Sequence, residues 1–205
     1  MKIAIIAEGS YPYITGGVSG WIHGLITAMP EHEFIVFAIG AKSSDRGNFK
    51  YKLPANVTEV KEVFLDAYME EEGAWGRRFR LTAEQRSDFF ALLGGGERVD
   101  WGRLFDLVRS SKFKLASEFL GSKDYFDILE EICRDKYLMV PFTEMFWTVR
   151  SMILPLLLTL RHDIPKADVY HAVSTGYAGV IGALAKHVHG SPLVLTEHGI
   201  YSRER

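Results

Sequence analysis

Only one cysteine, Cys133, occurs among the 205 residues. No intrachain disulfide and no cysteine-based zinc site can form, and a lone thiol in a helical stretch reads as a small apolar side chain rather than a nucleophile. Like charges nowhere run to five or six in a row, and the formal net charge is −2. That argues against general nucleic-acid binding, which needs a concentrated basic surface. Long apolar runs are also missing. The most apolar stretch, Ser151 to Leu160, contains Pro155 and is bounded by Arg150 and Arg161, whereas a spanning helix needs about 20 apolar residues. It reads as a buried core helix, with contact at a membrane interface as the alternative. The opening run Met1 to Ala7 is too short for a signal peptide and no small-residue cleavage site follows it, so a cytoplasmic location is expected. What is present is ordinary for a folded protein. Hydrophobic residues at 47% and charged residues at 24% exclude a disordered chain, and the length suits one large domain or one domain with an insertion.

Lys2 to Ala7 is a continuous, β-branched apolar run, as expected of a strand covered on both faces of a parallel sheet. A turn-rich loop follows, Glu8 to Gly17, and then a helix. Val18, Trp21, Ile22, Leu25, Ile26 and Met29 form its apolar stripe, Thr15 is the expected N-cap and Pro30 marks its end. Glu33–Gly40 and Asn56–Leu65 read as the next two strands. Residues 66–165 change character, rich in Phe, Leu and charge. They predict helices over Thr82–Leu93, Trp101–Phe119, Tyr125–Tyr137 and Phe142–Leu160, a mainly helical insertion in an α/β core. Gly94 to Gly96 reads as a helix-to-helix turn, because no strand precedes it and no Gly-Lys-Ser/Thr follows. Glu70 to Glu72 reads as a solvated run. The opening pattern then returns. Asp168–Val173 is a strand, Ser174 to Gly176 a turn, Tyr177–His187 a helix, Gly190 its C-cap glycine, and Pro192–Thr196 the last strand. The whole is a doubly wound, mostly parallel sheet. Such sheets bind ligands outside the carboxyl ends of their strands, so loops 8–17, 174–176 and 197–205 should converge on one cleft.

Gly16-Gly17-Val18 opens the first helix. Two glycines there allow a tight turn and bring backbone N–H groups against an anion, with the helix dipole adding positive potential. A diphosphate or a sugar oxygen is the natural ligand, and a turn needed only for loop geometry is the alternative. A nicotinamide dinucleotide fits less well, since the loop is long and the second strand ends Ala38-Ile39-Gly40 without an acidic residue for the ribose. His198, just past the last strand, can donate to a sugar hydroxyl or phosphate. Glu197 could orient it or touch an acceptor. Glu8 could bind a polar substrate, and Tyr11 or Tyr13 could form a flat platform for a sugar ring or simply pack the loop down. His171, inside a strand, reads as a satisfied core histidine, and His23, His187 and His189 read as surface residues. Arg203 and Arg205 could meet phosphate or be solvated. No metal-ligand cluster is evident.

Glu8-Gly9-Ser10-Tyr11-Pro12-Tyr13, with Gly16-Gly17-Val18-Ser19 and Trp21-Ile22-His23, resembles the start of PelF-type glycosyltransferases. The tail is similar to the same family, from Val169-Tyr170-His171-Ala172-Val173-Ser174-Thr175-Gly176 through Leu195-Thr196-Glu197-His198-Gly199-Ile200-Tyr201. These are retaining enzymes of glycosyltransferase family four, with two Rossmann-like lobes in the GT-B fold. The resemblance implies the amino-terminal, acceptor-side lobe of an enzyme that moves a sugar from a UDP-sugar to a growing exopolysaccharide, with no metal and no cofactor beyond the donor. It implies that Gly16, Gly17 and Val18 approach the donor diphosphate and that His198 lies near the transferred sugar as the catalytic candidate. Glu8, Tyr13, Ser174, Thr175 and Glu197 complete the candidate substrate and donor site. Partners implied are a carboxyl-terminal nucleotide-sugar lobe and membrane export machinery at the inner face of the membrane. One lobe alone is expected to be inactive, because catalysis needs leaving-group stabilisation and closure of both lobes. Two other readings stay open. One is a non-catalytic docking module using Trp75, Trp101 or Trp147, and the other is an unrelated nucleotide-binding Rossmann domain.

Overall fold

Why the apolar runs become strands is visible in their burial. All five central residues of β1 (Lys2–Glu8) are buried, as are seven of the eight in β2 (Glu33–Gly40). A strand buried on both faces has no polar alternation to keep, which is the composition of a central parallel strand. A computed structural model of the chain describes residues 1–66, 79–95, 99–113 and 115–199. Glu70 to Glu72, Trp75, Gly96, Ile200, Tyr201, Arg203 and Arg205 lie outside the described residues.

The chain divides into two compact units, residues 1–67 with 162–205, and residues 68–161. In the first, β1 and β2 are joined by β3 (Val57–Phe64), β4 (Val169–Ala172) and β5 (Leu193–Leu195). The sheet order is β3-β2-β1-β4-β5 and every pairing is parallel. Helix α1 (Gly17–Ala28) follows β1 and seats Ile22 and Ile26 on Ile3, Ile5, Phe34 and Val36. The later helix between β4 and β5, Tyr177–His189, uses the opposite face. A Cβ on its Gly182 would lie 2.6 Å from Leu193 Cδ1 and 3.4 Å from Ala172 Cβ. Ala172 pairs with Ile6, which points away from the α1 face. A methyl group at Gly182 would require the Leu193 side chain to shift. Helices on both faces of a parallel sheet with order 3-2-1-4-5 make a Rossmann-like doubly wound fold. As expected, Gly190 closes the second helix in the left-handed conformation at φ 72°.

The described residues of the second unit form five helices: α2 (Ala83–Leu93), α3 (Trp101–Arg109), α4 (Ala116–Leu120), α5 (Lys123–Lys136) and α6 (Phe142–Leu160). The helix between β4 and β5 is therefore α7. Their core is aromatic: Phe89, Phe113, Phe119 and Tyr125 are fully buried, and Phe89 lies 4.3 Å from Phe119 between ring centres. Thr82 and Gln85 cap α2 reciprocally. The expected single helix over Trp101–Phe119 is in fact two. Trp101 is half-buried against Phe105, whereas Trp147 is 55% exposed. Among the described residues no helix is long and apolar enough to cross a membrane.

Candidate functional site

The parallel order places the carboxyl ends of β1, β4 and β5 side by side, where strand order reverses about β1. A cavity of about 420 Å³ opens there. Its wall comes from Glu8 to Ser10 after β1, Ile14 and Gly16 to Ser19 at the head of α1, Val173 and Ser174 after β4, and Glu197 to Gly199 after β5. Of the sequence-predicted residues, Glu8, Gly16, Gly17, Val18, Ser174, Glu197 and His198 thus come together. The volume lies in the range of small-molecule sites.

The head of α1 leaves its first N–H groups without a side-chain cap. Gly16 stands at the N-cap in an extended conformation, no side chain caps the helix, and its first turn holds no acidic residue. Thr15 is therefore not the N-cap: it lies one residue too early, exposed, and Gly16 itself carries the chain into the helix. A Cβ at Gly17 would meet no atom within 4 Å, so the first helical residue faces open space.

The head of α7 is different. Glu8 Oε2 accepts the Ala178 N–H at 3.1 Å, so the carboxylate that ends β1 caps the neighbouring helix. Gly176 makes room for it, since a Cβ there would lie 2.7 Å from Glu8 Oε2. Burial and then the nearby Glu8 charge push the Tyr177 phenol up. Glu197 ties the two outer loops. Its Oε2 accepts the Thr175 N–H at 3.2 Å. The Thr175 hydroxyl and the N–H groups of Gly199, Thr175 and His198 hold this carboxyl below its usual range. Thr175 acts through that tie and is not on the cavity wall.

Tyr13 does not form a platform. Its ring is 8% exposed, packed against Phe49 and Phe64, and its hydroxyl donates to Glu62 Oε1 at 2.5 Å. Burial, with that carboxylate, pushes its phenol up. Tyr11 is buried beside Tyr51 and His23, and burial raises its phenol to about 12. In the same loop the N–H groups of Tyr13 and Ile14 both bond to Ser10 O at 3.0 Å, and Ile14 is left on the cavity, 55% exposed. His23 is correspondingly half-buried between the two tyrosines rather than at the surface. His189 is also half-buried, with Nε2 3.0 Å from Ile164 O and its ring stacked on Tyr170, while His187 is exposed.

His198 is exposed, and its imidazole meets the Trp21 indole at 4.9 Å and 71°. Trp21 also touches His171, at 5.7 Å and 90°. His171 is satisfied by Thr196, Nε2 to Oγ1 at 2.7 Å, and burial, then the neighbouring His198, lowers its pKa. In the sequence Trp21 stood in the apolar stripe and in the motif Trp21-Ile22-His23, with no role at the site. Its spacing of four residues from Gly17, which puts both on one helix face, was the signal for a place beside the site. Ser10 and Ser174 add hydroxyl oxygens that are buried and lack a hydrogen-bond partner among the described residues. Among those residues no three His, Cys, Asp or Glu side chains gather as a metal site.

Over residues 1–205 the chain matches the model of the domain of unknown function DUF3492, and it belongs to that family. No curated protein and no solved structure matches it.

Proposed function

We propose that this DUF3492 chain is the acceptor-side lobe of a retaining, PelF-like glycosyltransferase that moves a sugar from a UDP-sugar to a growing exopolysaccharide. One observation carries the reading. The head of α1, without a side-chain cap or an acidic residue, opens on the same cavity as the exposed His198 imidazole. Backbone N–H groups and the helix dipole there suit the donor diphosphate, and the imidazole suits the transferred sugar or its acceptor. Ser10 and Ser174 hold hydroxyls that a sugar or phosphate oxygen would satisfy. The donor's nucleotide would be held by a second lobe, the two closing over the diphosphate, so this lobe by itself binds donor weakly and does not turn it over. The location proposed is the cytoplasm, beside export machinery at the inner face of the membrane.

A non-catalytic docking role has one observation in its favour, the exposed apolar turn after α5, where Leu138 is 80% and Met139 94% exposed. A dinucleotide role has less, since β2 ends in Ile39-Gly40 with no acidic residue for a ribose. Ligand-observed NMR with UDP-glucose, UDP-N-acetylglucosamine, UDP-N-acetylgalactosamine and NAD separates these readings. The expected result is weak UDP-sugar binding that a Gly17→Val, His198→Ala double variant loses. Binding of NAD in preference to every UDP-sugar would refute the proposal.

A further inference from the structure

We infer that Trp21 is the positioning residue for His198, holding its imidazole at the mouth of the cavity. His198 sits in the loop after β5, beside Gly199, and its ring makes no hydrogen bond among the described residues. A side chain so placed is free to turn unless packing holds it. The packing is supplied by the Trp21 indole, in the edge-to-face range that aromatic pairs prefer. Trp21 stands on a helix, and sites carried on helices are held more closely than sites on loops.

The indole is itself held. His171 of β4 also meets it edge-on, at 5.7 Å, and Thr196 fixes His171 in turn. Four groups therefore connect the sheet to the loop: the Thr196 hydroxyl, His171, Trp21 and His198. Trp21 is not explained by the core alone. It is 38% exposed, whereas Ile22 and Ile26 of the same stripe are fully buried. Its position four residues after Gly17 brings the imidazole and the head of α1 to one space. The meaning of this for sugar transfer rests on the proposed function; the geometry does not.

The test reads the imidazole directly in the ligand-free protein, with its resonances assigned through a His198→Gln variant. Nuclear Overhauser contacts between the Trp21 indole and His198 ring protons are expected, with those protons displaced by the indole ring current. Trp21→Ala should return them to the positions of an unstructured histidine, and Trp21→Phe should restore part of the displacement. No indole contact in the wild type, or unchanged His198 resonances in Trp21→Ala with Ile22 and Ile26 methyl signals intact, overturns the inference. In the donor assay Trp21→Ala should weaken UDP-glucose binding about two- to tenfold, the size of an edge-to-face aromatic contact, and Trp21→Phe less. Equal binding by wild type and Trp21→Ala removes the positioning role and leaves the glycosyltransferase reading standing. Absence of UDP-sugar binding in the wild type, with the indole contacts present, removes that reading and leaves Trp21 as the group that holds His198.

Discussion

Gly17→Ala should make the protein more stable and bind donor less well. Gly17 is the first residue of α1, and a Cβ built on it meets nothing within 4 Å. The folded state therefore accepts the methyl group without strain, while the unfolded chain loses freedom. Such a change stabilises by about 0.4–1 kcal/mol, which for a chain of this size is roughly 1–4 °C in Tm. The same methyl group enters the cavity where the proposed diphosphate would accept the first N–H groups of the helix. Losing one charge-assisted hydrogen bond costs about 1.5–3 kcal/mol, so affinity for UDP-glucose or inorganic pyrophosphate should fall roughly ten- to a hundredfold. Scanning calorimetry and titration calorimetry on one preparation give both numbers. A lower Tm would mean that the turn itself requires glycine, and the open-space argument fails. A higher Tm with unchanged affinity would mean that the anion does not sit at the head of α1.

Glu8→Gln keeps an acceptor for the Ala178 N–H but removes the charge at the head of α7. It should cost about 0.3–1 kcal/mol in urea unfolding while pyrophosphate binding tightens, because a like charge leaves the cavity wall; weaker pyrophosphate binding would show that Glu8 helps the ligand instead. Stability should also fall as pH drops below 6.5. Burial lowers the pKa of His171, and of His162 likewise, so the unfolded chain takes up protons first. The stability of keeping both rings neutral is complete above pH 6.5 and is lost progressively from there down to the folded-state values. Urea midpoints at pH 7.5, 6.5 and 5.5 should show this slope, flattened in part by His171→Gln and further by adding His162→Gln; an unchanged slope in the double variant refutes the assignment.

The parallel sheet was legible because its signal is local. The run Glu33–Gly40 needs only its own residues to read as a buried strand, and those are the bounds of β2. Phe142–Leu160 was equally plain as α6. The division of the expected helix Trp101–Phe119 was not, because it turns on side chains competing with the backbone. The Ser110 hydroxyl donates to Leu107 O at 2.6 Å, the Ser110 N–H does so at 3.1 Å, and Ser110 leaves the helix at ψ 159°. The cleft was legible in outline, since strand ends predict where loops meet. Which way a loop aromatic turns was not. Tyr13 goes inward because Phe49, Phe64 and Glu62, all distant in sequence, line the place it fills. Trp21 was hidden for the opposite reason: its spacing matches the core stripe, and only the neighbouring His171 and His198 give its ring a second surface.

One helix, α1, begins at this cavity and a second, α7, begins beside it, and their heads are not equivalent. Glu8 already supplies α7 with a carboxylate, while α1 has no acidic residue in its first turn and no side-chain cap. A diphosphate bound as proposed would therefore meet repulsion on the β4 side and attraction on the α1 side, which would give it one orientation rather than two. Glu197 strengthens the bias, because its carboxyl is held ionised beside the β4 and β5 loops. Yet the wall carries two carboxylates, one imidazole and, among the described residues, no lysine or arginine. Backbone dipoles and one histidine can orient a diphosphate but cannot neutralise its charge against two carboxylates. The positive charge that makes binding tight has to come from outside this wall. The proposed function assigns that task to a second lobe, and for the same reason it expects only weak donor binding here.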